Sequence, residues 1–216
     1  VCLLVLLGPH HSIAPGFNPK VIVTAWTNRR VRLAYAGYLG HMWELYAMWA
    51  WIAAATAVSY RYTLSPADSE TLSKLTAFVA IGGGGLACVL AGLAADRVGK
   101  ANVAIIAMVV SGTSALAAAI TFGGPAWLTF LVVVVWGLAI VPDSAQFSAL
   151  VADASPPEQA GSLLTLQTAL GFALTFATVQ VTPVLALTFG WPVVFAGLAL
   201  GPAFGVAAML RLRALR

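Results

Sequence analysis

Six long apolar segments joined by short connections limit the folds open to this chain more than any other feature of its sequence. A helix rises about 1.5 Å per residue and a bilayer core is about 30 Å thick, so each segment is long enough to cross. Backbone groups in lipid must satisfy their own hydrogen bonds, which at this length favours helices over barrel strands. We therefore predict an all-α membrane protein with transmembrane helices at about 33–58, 75–95, 102–122, 126–150, 161–189 and 193–210.

The scarcity of charged residues supports this prediction. Only 8% of the 216 residues are charged and 61% are hydrophobic, whereas soluble domains carry roughly 25% charged residues. The sequence pI is about 9.4, but the basic residues are sparse and flank apolar segments. That pattern is typical of loops that fix membrane topology, and it gives no reason to expect a nucleic-acid partner.

The distribution of Lys and Arg predicts an orientation. If the residues before the first segment are cytoplasmic, only Arg61 and Lys74 of the eleven basic residues lie on the far side. The opposite orientation reverses this ratio and violates the positive-inside rule. We expect an integral protein of a bacterial inner (plasma) membrane with a cytoplasmic C-terminus.

The N-terminal residues are organised differently from the rest. The opening run VCLLVLL is too short to span a bilayer and is followed by a Gly- and Pro-rich stretch. We predict that residues 1–32 are the end of a preceding helix plus a cytoplasmic linker, and that residues 33–216 form a six-helix transmembrane bundle. The chain is then a fragment of a longer protein.

Four consecutive glycines, Gly82–Gly85, lie inside the second segment. A phosphate-binding loop would need a strand before the glycines and a helix after them, and neither is predicted here. Small residues in membrane helices let neighbouring backbones approach closely. We therefore expect this run to serve helix packing.

A short motif, GLAADRVGK, occupies the connection between the second and third segments. It resembles the signature loop of the major facilitator superfamily, which lies between the second and third helices and, more weakly, between the eighth and ninth. The residues that carry the resemblance are Gly92, Asp96, Arg97, Gly99 and Lys100.

The resemblance implies the C-terminal half of a twelve-helix transporter, built as two three-helix repeats of inverted topology. It also implies a missing N-terminal half of six helices as a partner. In the family this loop is thought to latch the two halves in one conformation. A loop that only fixes topology is the alternative interpretation.

His41 and Glu44 interrupt an otherwise apolar and aromatic stretch, GYLGHMWELYAMWAW. Three positions apart, they share one helical face. Glu44 is about twelve residues beyond Arg32, roughly 18 Å along a helix, and therefore deep in the bilayer. A charged group there costs about 2.5–3.5 kcal/mol even on the mildest scale. We interpret Glu44 as a cavity-lining carboxylate that takes up a proton, with His41 as its partner; a pair that only holds two helices together is the alternative.

Asp143 is a second acid inside a segment and follows Pro142. Proline cannot donate to the helical ladder and frees a carbonyl one turn earlier, so a polar path beside the break is possible. A kink with a capped backbone is the alternative. On the family resemblance, Glu44 and Asp143 lie on the leading helices of the two repeats, which line the central cavity. Tyr38 and Gln167 are further candidate lining residues, although such groups also serve as interhelical contacts.

These features together predict a secondary active transporter for a small soluble solute or ion. Proton coupling through Glu44, His41 and Asp143, by symport or antiport, is the expected mechanism. A self-contained six-helix channel or a non-transporting membrane protein is the alternative. An enzyme would need a nucleophile–base pair or a metal cluster at one depth, so we expect no catalytic residues, metal or cofactor.

Overall fold

The structure, a computed structural model, describes residue 19 and residues 21–215. The prediction of an all-α fold is confirmed, since the described residues form helices and include no strand. The helices are α1 (Val21–Thr27), α2 (Arg29–Tyr60), α3 (Pro66–Val98), α4 (Lys100–Thr121), α5 (Ala126–Ile140), α6 (Ser144–Ala154), α7 (Ala160–Phe189), α8 (Trp191–Leu198) and α9 (Leu200–Arg213).

Successive long helices run in opposite directions between two ends of a bundle. At one end, which we call the basic end, Lys100 Nζ lies 2.6 Å from Asp153 Oδ2 and Arg30 donates to the Leu215 carbonyl. These contacts bring together the starts of α2 and α4 and the ends of α6 and α9. At the opposite end the amide of Gly123 donates to Ser59 Oγ.

Within the described residues, five stretches of helix, rather than the six predicted, are long and apolar enough to cross a membrane: α3, α4, α5 with α6, α7, and α8 with α9. Helix α2 is 32 residues long but is not among them, because its Trp, Tyr, His and Glu side chains lower its hydropathy. It is the central helix, and α3, α6, α7 and α9 pack around it.

The outer helices present large apolar side chains to the surroundings. Leu187 is 90% exposed, Ile120 84% and Phe78 76%, whereas His41 and Glu44 on α2 are each 1% exposed. This distribution, with polar groups inside and apolar groups outside, is compatible with a membrane protein.

Glycines allow α2 and α9 to pack closely. A Cβ atom added to Gly40 would lie 2.5 Å from the Gly201 carbonyl oxygen and 2.9 Å from the Gly205 nitrogen. Both atoms belong to backbone, which cannot move aside as a side chain can. Close approach of this kind is the usual role of small residues in helix pairs of membrane proteins.

The glycine run inside α3 contributes to packing at two of its four positions. A Cβ atom on Gly83 would lie 2.8 Å from the Leu138 side chain, and one on Gly84 would lie 3.0 Å from the Gly137 carbonyl oxygen. Gly82 and Gly85 face open space. The expected packing role therefore applies to Gly83 and Gly84, which contact α5.

The helix bounds differ from the predicted segments mainly at three places. Helix α3 begins at Pro66 rather than near 75, because Ser65 Oγ accepts from the Asp68 amide and caps a polar first turn. Residues 141–143, which include Pro142, separate α5 from α6. The predicted linker 1–32 contains α1 and the start of α2; residues 1–18, Lys20 and Arg216 lie outside the described part of the chain.

Candidate functional site

The carboxyl group of Glu44 lies inside the bundle, where α2 meets α4 and α5. Trp136 Nε1 donates to Glu44 Oε1 at 2.7 Å, and Ser111 Oγ donates to Glu44 Oε2 at 2.9 Å. All three side chains are buried. Each carboxyl oxygen therefore has a hydrogen-bond donor, which offsets part of the cost of burying a polar or charged group.

This arrangement suits either protonation state of Glu44. An indole N–H can only donate, so Glu44 Oε1 is an acceptor in both states, whereas a serine hydroxyl can donate or accept. A protonated Glu44 can donate from Oε2 to Ser111 Oγ, whose hydrogen can turn to the Met108 carbonyl 3.3 Å away. Both protonation states of Glu44 can thus be accommodated by the same heavy-atom positions at this site.

Aromatic packing holds the donor in place. The Trp136 ring is fully buried, and its centroid lies 5.3 Å from that of Phe195 at an interplanar angle of 87°. This edge-to-face geometry is favourable for aromatic pairs. It fixes the direction in which the indole N–H points, towards Glu44.

His41 and Asp143 form a second buried pair beside the first. Asp143 lies at the N-terminal cap position of α6, but its side chain makes no capping hydrogen bond. Instead Asp143 Oδ1 lies 2.9 Å from His41 Nδ1. This distance is short enough for an ion pair. The two atoms are not aligned for a hydrogen bond, and Asp143 Oδ1 has no hydrogen-bond partner among the described residues. The interruption after Pro142 thus places a carboxylate against α2.

Three aromatic rings meet beside this pair. The ring centroids of His41 and Phe147 are 5.8 Å apart, and those of Tyr38 and His41 are 6.2 Å apart. Tyr38 also fills the space left by a missing side chain on α7, since a Cβ atom on Gly171 would lie 2.5 Å from the Tyr38 ring. These contacts connect α2, α6 and α7 at the level of His41.

Gln167 lies on the face of α7 that packs against α2. It is one helical turn from Gly171 in one direction and from Leu163 in the other, and the Tyr35 hydroxyl donates to the Leu163 carbonyl. Gln167 is 1% exposed, and neither polar atom of its amide has a partner among the described residues. Of the predicted lining residues, the structure therefore brings His41, Glu44 and Asp143 inside the bundle, with Tyr38 and Gln167 at the α2–α7 contact.

The partners of Glu44 were not anticipated from the sequence. Ser111 lies in a helix rich in small residues and has no distinguishing neighbour. Trp136 does carry one signal, because it is in the middle of an apolar segment, whereas tryptophans of membrane proteins concentrate near the two interfaces. A mid-segment tryptophan is a sign that its N–H has a buried acceptor.

The residues of the motif GLAADRVGK lie at the basic end. Gly99 is the single residue between α3 and α4 and has φ of +90°, a conformation that favours glycine. Lys100 pairs with Asp153 at the end of α6. Asp96 and Arg97 are exposed, and Gly92 faces open space.

Within the described part of the chain, no three His, Cys, Asp or Glu side chains are grouped so that they could hold a metal ion.

No protein-family model matches the sequence, and no curated protein gives a significant match.

Proposed function

We propose that this chain is the C-terminal six-helix half of a proton-coupled secondary transporter of the major facilitator type. The observation that carries the proposal is the buried carboxyl group of Glu44 on the central helix, held between Trp136 Nε1 and Ser111 Oγ. Ionisable groups inside membrane helices commonly mark ion pathways or proton relays. The motif GLAADRVGK supplies the family assignment.

Proton exchange by Glu44 requires a change of conformation or a relay. The residue is 1% exposed, so it has no direct contact with solvent in this state. Alternating access provides such a change, because rocking of one half against the other opens the midplane to each side in turn. The donors on both oxygens allow the site to hold the carboxyl group before and after proton uptake.

The two three-helix repeats in this proposal are α2 to α4 and α5 to α9. Their leading helices touch through His41 and Asp143, which lie 2.9 Å apart at the break between α5 and α6. A proton that changes the charge of this pair or of Glu44 thereby alters the contact between the repeats. The basic end faces the cytoplasm, and the loop from Gly92 to Lys100 acts as a latch against the rest of the transporter.

The substrate is a small soluble solute bound between this half and the N-terminal half, in a bacterial inner membrane. The least buried of the apolar helices are α3 and α7, with 11% and 22% of their apolar windows buried. In this proposal parts of both faces are covered by the missing half, and the remainder by lipid.

The proposal is tested with the native gene product in everted membrane vesicles that contain a pH-sensitive dye. Sugars, amino acids, organic acids and small cations are added in turn, and proton movement is recorded. We expect saturable, solute-dependent proton movement that Glu44→Gln abolishes. The control Glu158→Gln changes an exposed carboxylate and should leave the signal intact. Unsaturable movement, or movement that Glu44→Gln leaves unchanged, would contradict the proposal.

A further inference from the structure

A groove of about 360 Å³ runs along the outside of the bundle between α4 and α9. The α4 side of the groove includes Val109, Thr113 and Leu116, and the α9 side includes Pro202, Ala203 and Val206. The lining is apolar except for Thr113, whose hydroxyl donates to the Val109 carbonyl of its own helix at 2.7 Å. The groove therefore suits a hydrocarbon chain better than a polar ligand.

The faces of α4 and α9 that line the groove end in a polar contact at the basic end. Arg213 Nη1 donates to Asn102 Oδ1 at 3.3 Å, and Asn102 Nδ2 donates to the Val98 carbonyl at 2.7 Å. Arg213 is seven positions from Val206, and Asn102 is seven positions from Val109. Seven positions are close to two helical turns, so both polar residues lie in line with the groove.

The Arg213 side chain can bind an anion above the groove. It is exposed, and its guanidinium has no carboxylate within 4 Å among the described residues, whereas Lys100 at the same end pairs with Asp153. A guanidinium carries five N–H donors in a geometry that matches phosphate. The contact with Asn102 uses one of them and holds the group in place, so the other donors remain available.

The depth of the groove below Arg213 matches the acyl chains of one leaflet. At about 1.5 Å per residue, the groove begins about 10 Å below Arg213, at Val206, and ends about 21 Å below it, at Ala199. A bilayer has a hydrocarbon core of about 30 Å with a headgroup region of about 5–7 Å on each side. A phosphate bound to Arg213 would therefore place the attached acyl chain at the level of the groove.

We propose that the α4–α9 groove binds an anionic phospholipid, whose phosphate contacts Arg213 and one of whose acyl chains lies between the two helices. The charge of Arg213 and the depth of the apolar lining both match this occupant. Basic sites between membrane helices are known to bind anionic headgroups in this way. The proposal requires α4 and α9 to span a membrane and does not depend on transport.

The headgroup contact is tested with the full-length gene product, freed of lipid in detergent and titrated with phosphatidylglycerol or phosphatidylcholine of identical chains. Native mass spectrometry counts the retained lipids. We expect one phosphatidylglycerol to be retained at concentrations at which phosphatidylcholine is not. Arg213→Gln should weaken its binding about fivefold, which corresponds to about 1 kcal/mol per basic residue near a membrane surface. Arg211→Gln is the matched control, because Arg211 is also exposed but lies two positions away on another side of α9.

The acyl-chain contact is tested by filling the groove. Ala203→Leu adds bulk to an exposed lining residue and should weaken phosphatidylglycerol binding in the same assay. Ala207→Leu makes the same change at an exposed position outside the lining and should leave binding intact.

Three results would overturn the proposal. One is equal retention of the two lipids, and another is an equal loss of binding in Arg211→Gln and Arg213→Gln. The third is no retained phosphatidylglycerol, as expected if the N-terminal half or a second copy covers the groove. Selective lipid binding by a protein that moves no protons would support the lipid site while contradicting the proposed transporter, so the two proposals fail separately.

Discussion

Trp136 Nε1 lies 2.7 Å from Glu44 Oε1, although 92 positions separate the two residues in the sequence. The contact joins the central helix α2 to α5, and both side chains are buried. A carboxyl group in such surroundings depends on its donors, because their removal leaves a buried acceptor unsatisfied. Several consequences of this geometry are measurable.

Replacement of Trp136 by Phe removes the donor to Glu44 while keeping an aromatic ring beside Phe195. We expect the free energy of unfolding to fall by about 1–3 kcal/mol, the usual cost of an unsatisfied buried polar group. Thermal unfolding in detergent measures it. Trp127→Phe is the matched control, since Trp127 is 64% exposed and should give little change.

A double-mutant cycle separates the hydrogen bond from the lost ring volume. If the contact with Glu44 is responsible, Trp136→Phe should cost much less in a Glu44→Leu background, because no acceptor remains to be satisfied. Equal costs in both backgrounds would show that only packing is lost.

Replacement of Gly40 by Ala should destabilise the bundle by about 1–3 kcal/mol, as overpacking usually does. The new methyl group would meet backbone atoms of α9 at 2.5 and 2.9 Å, so the helices must separate. Gly85→Ala, also inside a helix but facing open space, should be neutral or stabilising by up to about 1 kcal/mol. Similar unfolding temperatures for the two variants would contradict the close α2–α9 contact.

The ion pair between Lys100 and Asp153 should contribute little to stability. It lies at the basic end with side chains 36% and 58% exposed, and exposed pairs are worth about 0–1 kcal/mol. We expect Lys100→Gln to shift the unfolding temperature slightly, and the shift to shrink further in high salt. If the loop acts as a latch, the same variant should still change transport; a large loss of stability instead would assign the pair a structural role.

Spin labels on α9 distinguish lipid from protein surroundings. If α9 spans the membrane, a nitroxide at Phe204, which is 61% exposed, should face the hydrocarbon core, and should therefore be accessible to oxygen and protected from water-soluble relaxation agents. A label at Met209, which is fully buried, should be protected from both. High access of the Phe204 label to the water-soluble agent would contradict a membrane-spanning α9.

The elements that depend on local sequence were predictable. Apolar length identifies the long helices, Pro142 marks the break that separates α5 from α6, and Gly99 marks the turn between α3 and α4. The central position of α2 was not predictable in this way. Its hydropathy is lower than that of its neighbours, and only the packing of the other helices around it shows why that is tolerated.

The site was predictable in its acids but not in its contacts. Glu44 and Asp143 are conspicuous because carboxyl groups are rare in apolar segments. The three-residue spacing of His41 and Glu44 suggested that these two side chains form a pair, since they share a helical face. In the structure His41 instead contacts Asp143, and Glu44 bonds to Trp136 and Ser111. Partners from distant helices are fixed by tertiary packing, which periodicity along one helix does not encode.

The central claim is that Glu44 is a proton-exchanging carboxyl group, and infrared difference spectroscopy of the reconstituted protein tests it most directly. Spectra are recorded while the pH of the surrounding buffer is changed reversibly. The account predicts a carboxyl band that appears and disappears with pH, is absent in Glu44→Gln, and is retained in Glu158→Gln. Identical difference spectra for the parent protein and Glu44→Gln would contradict it and would leave Glu44 as a fixed structural contact between α2, α4 and α5.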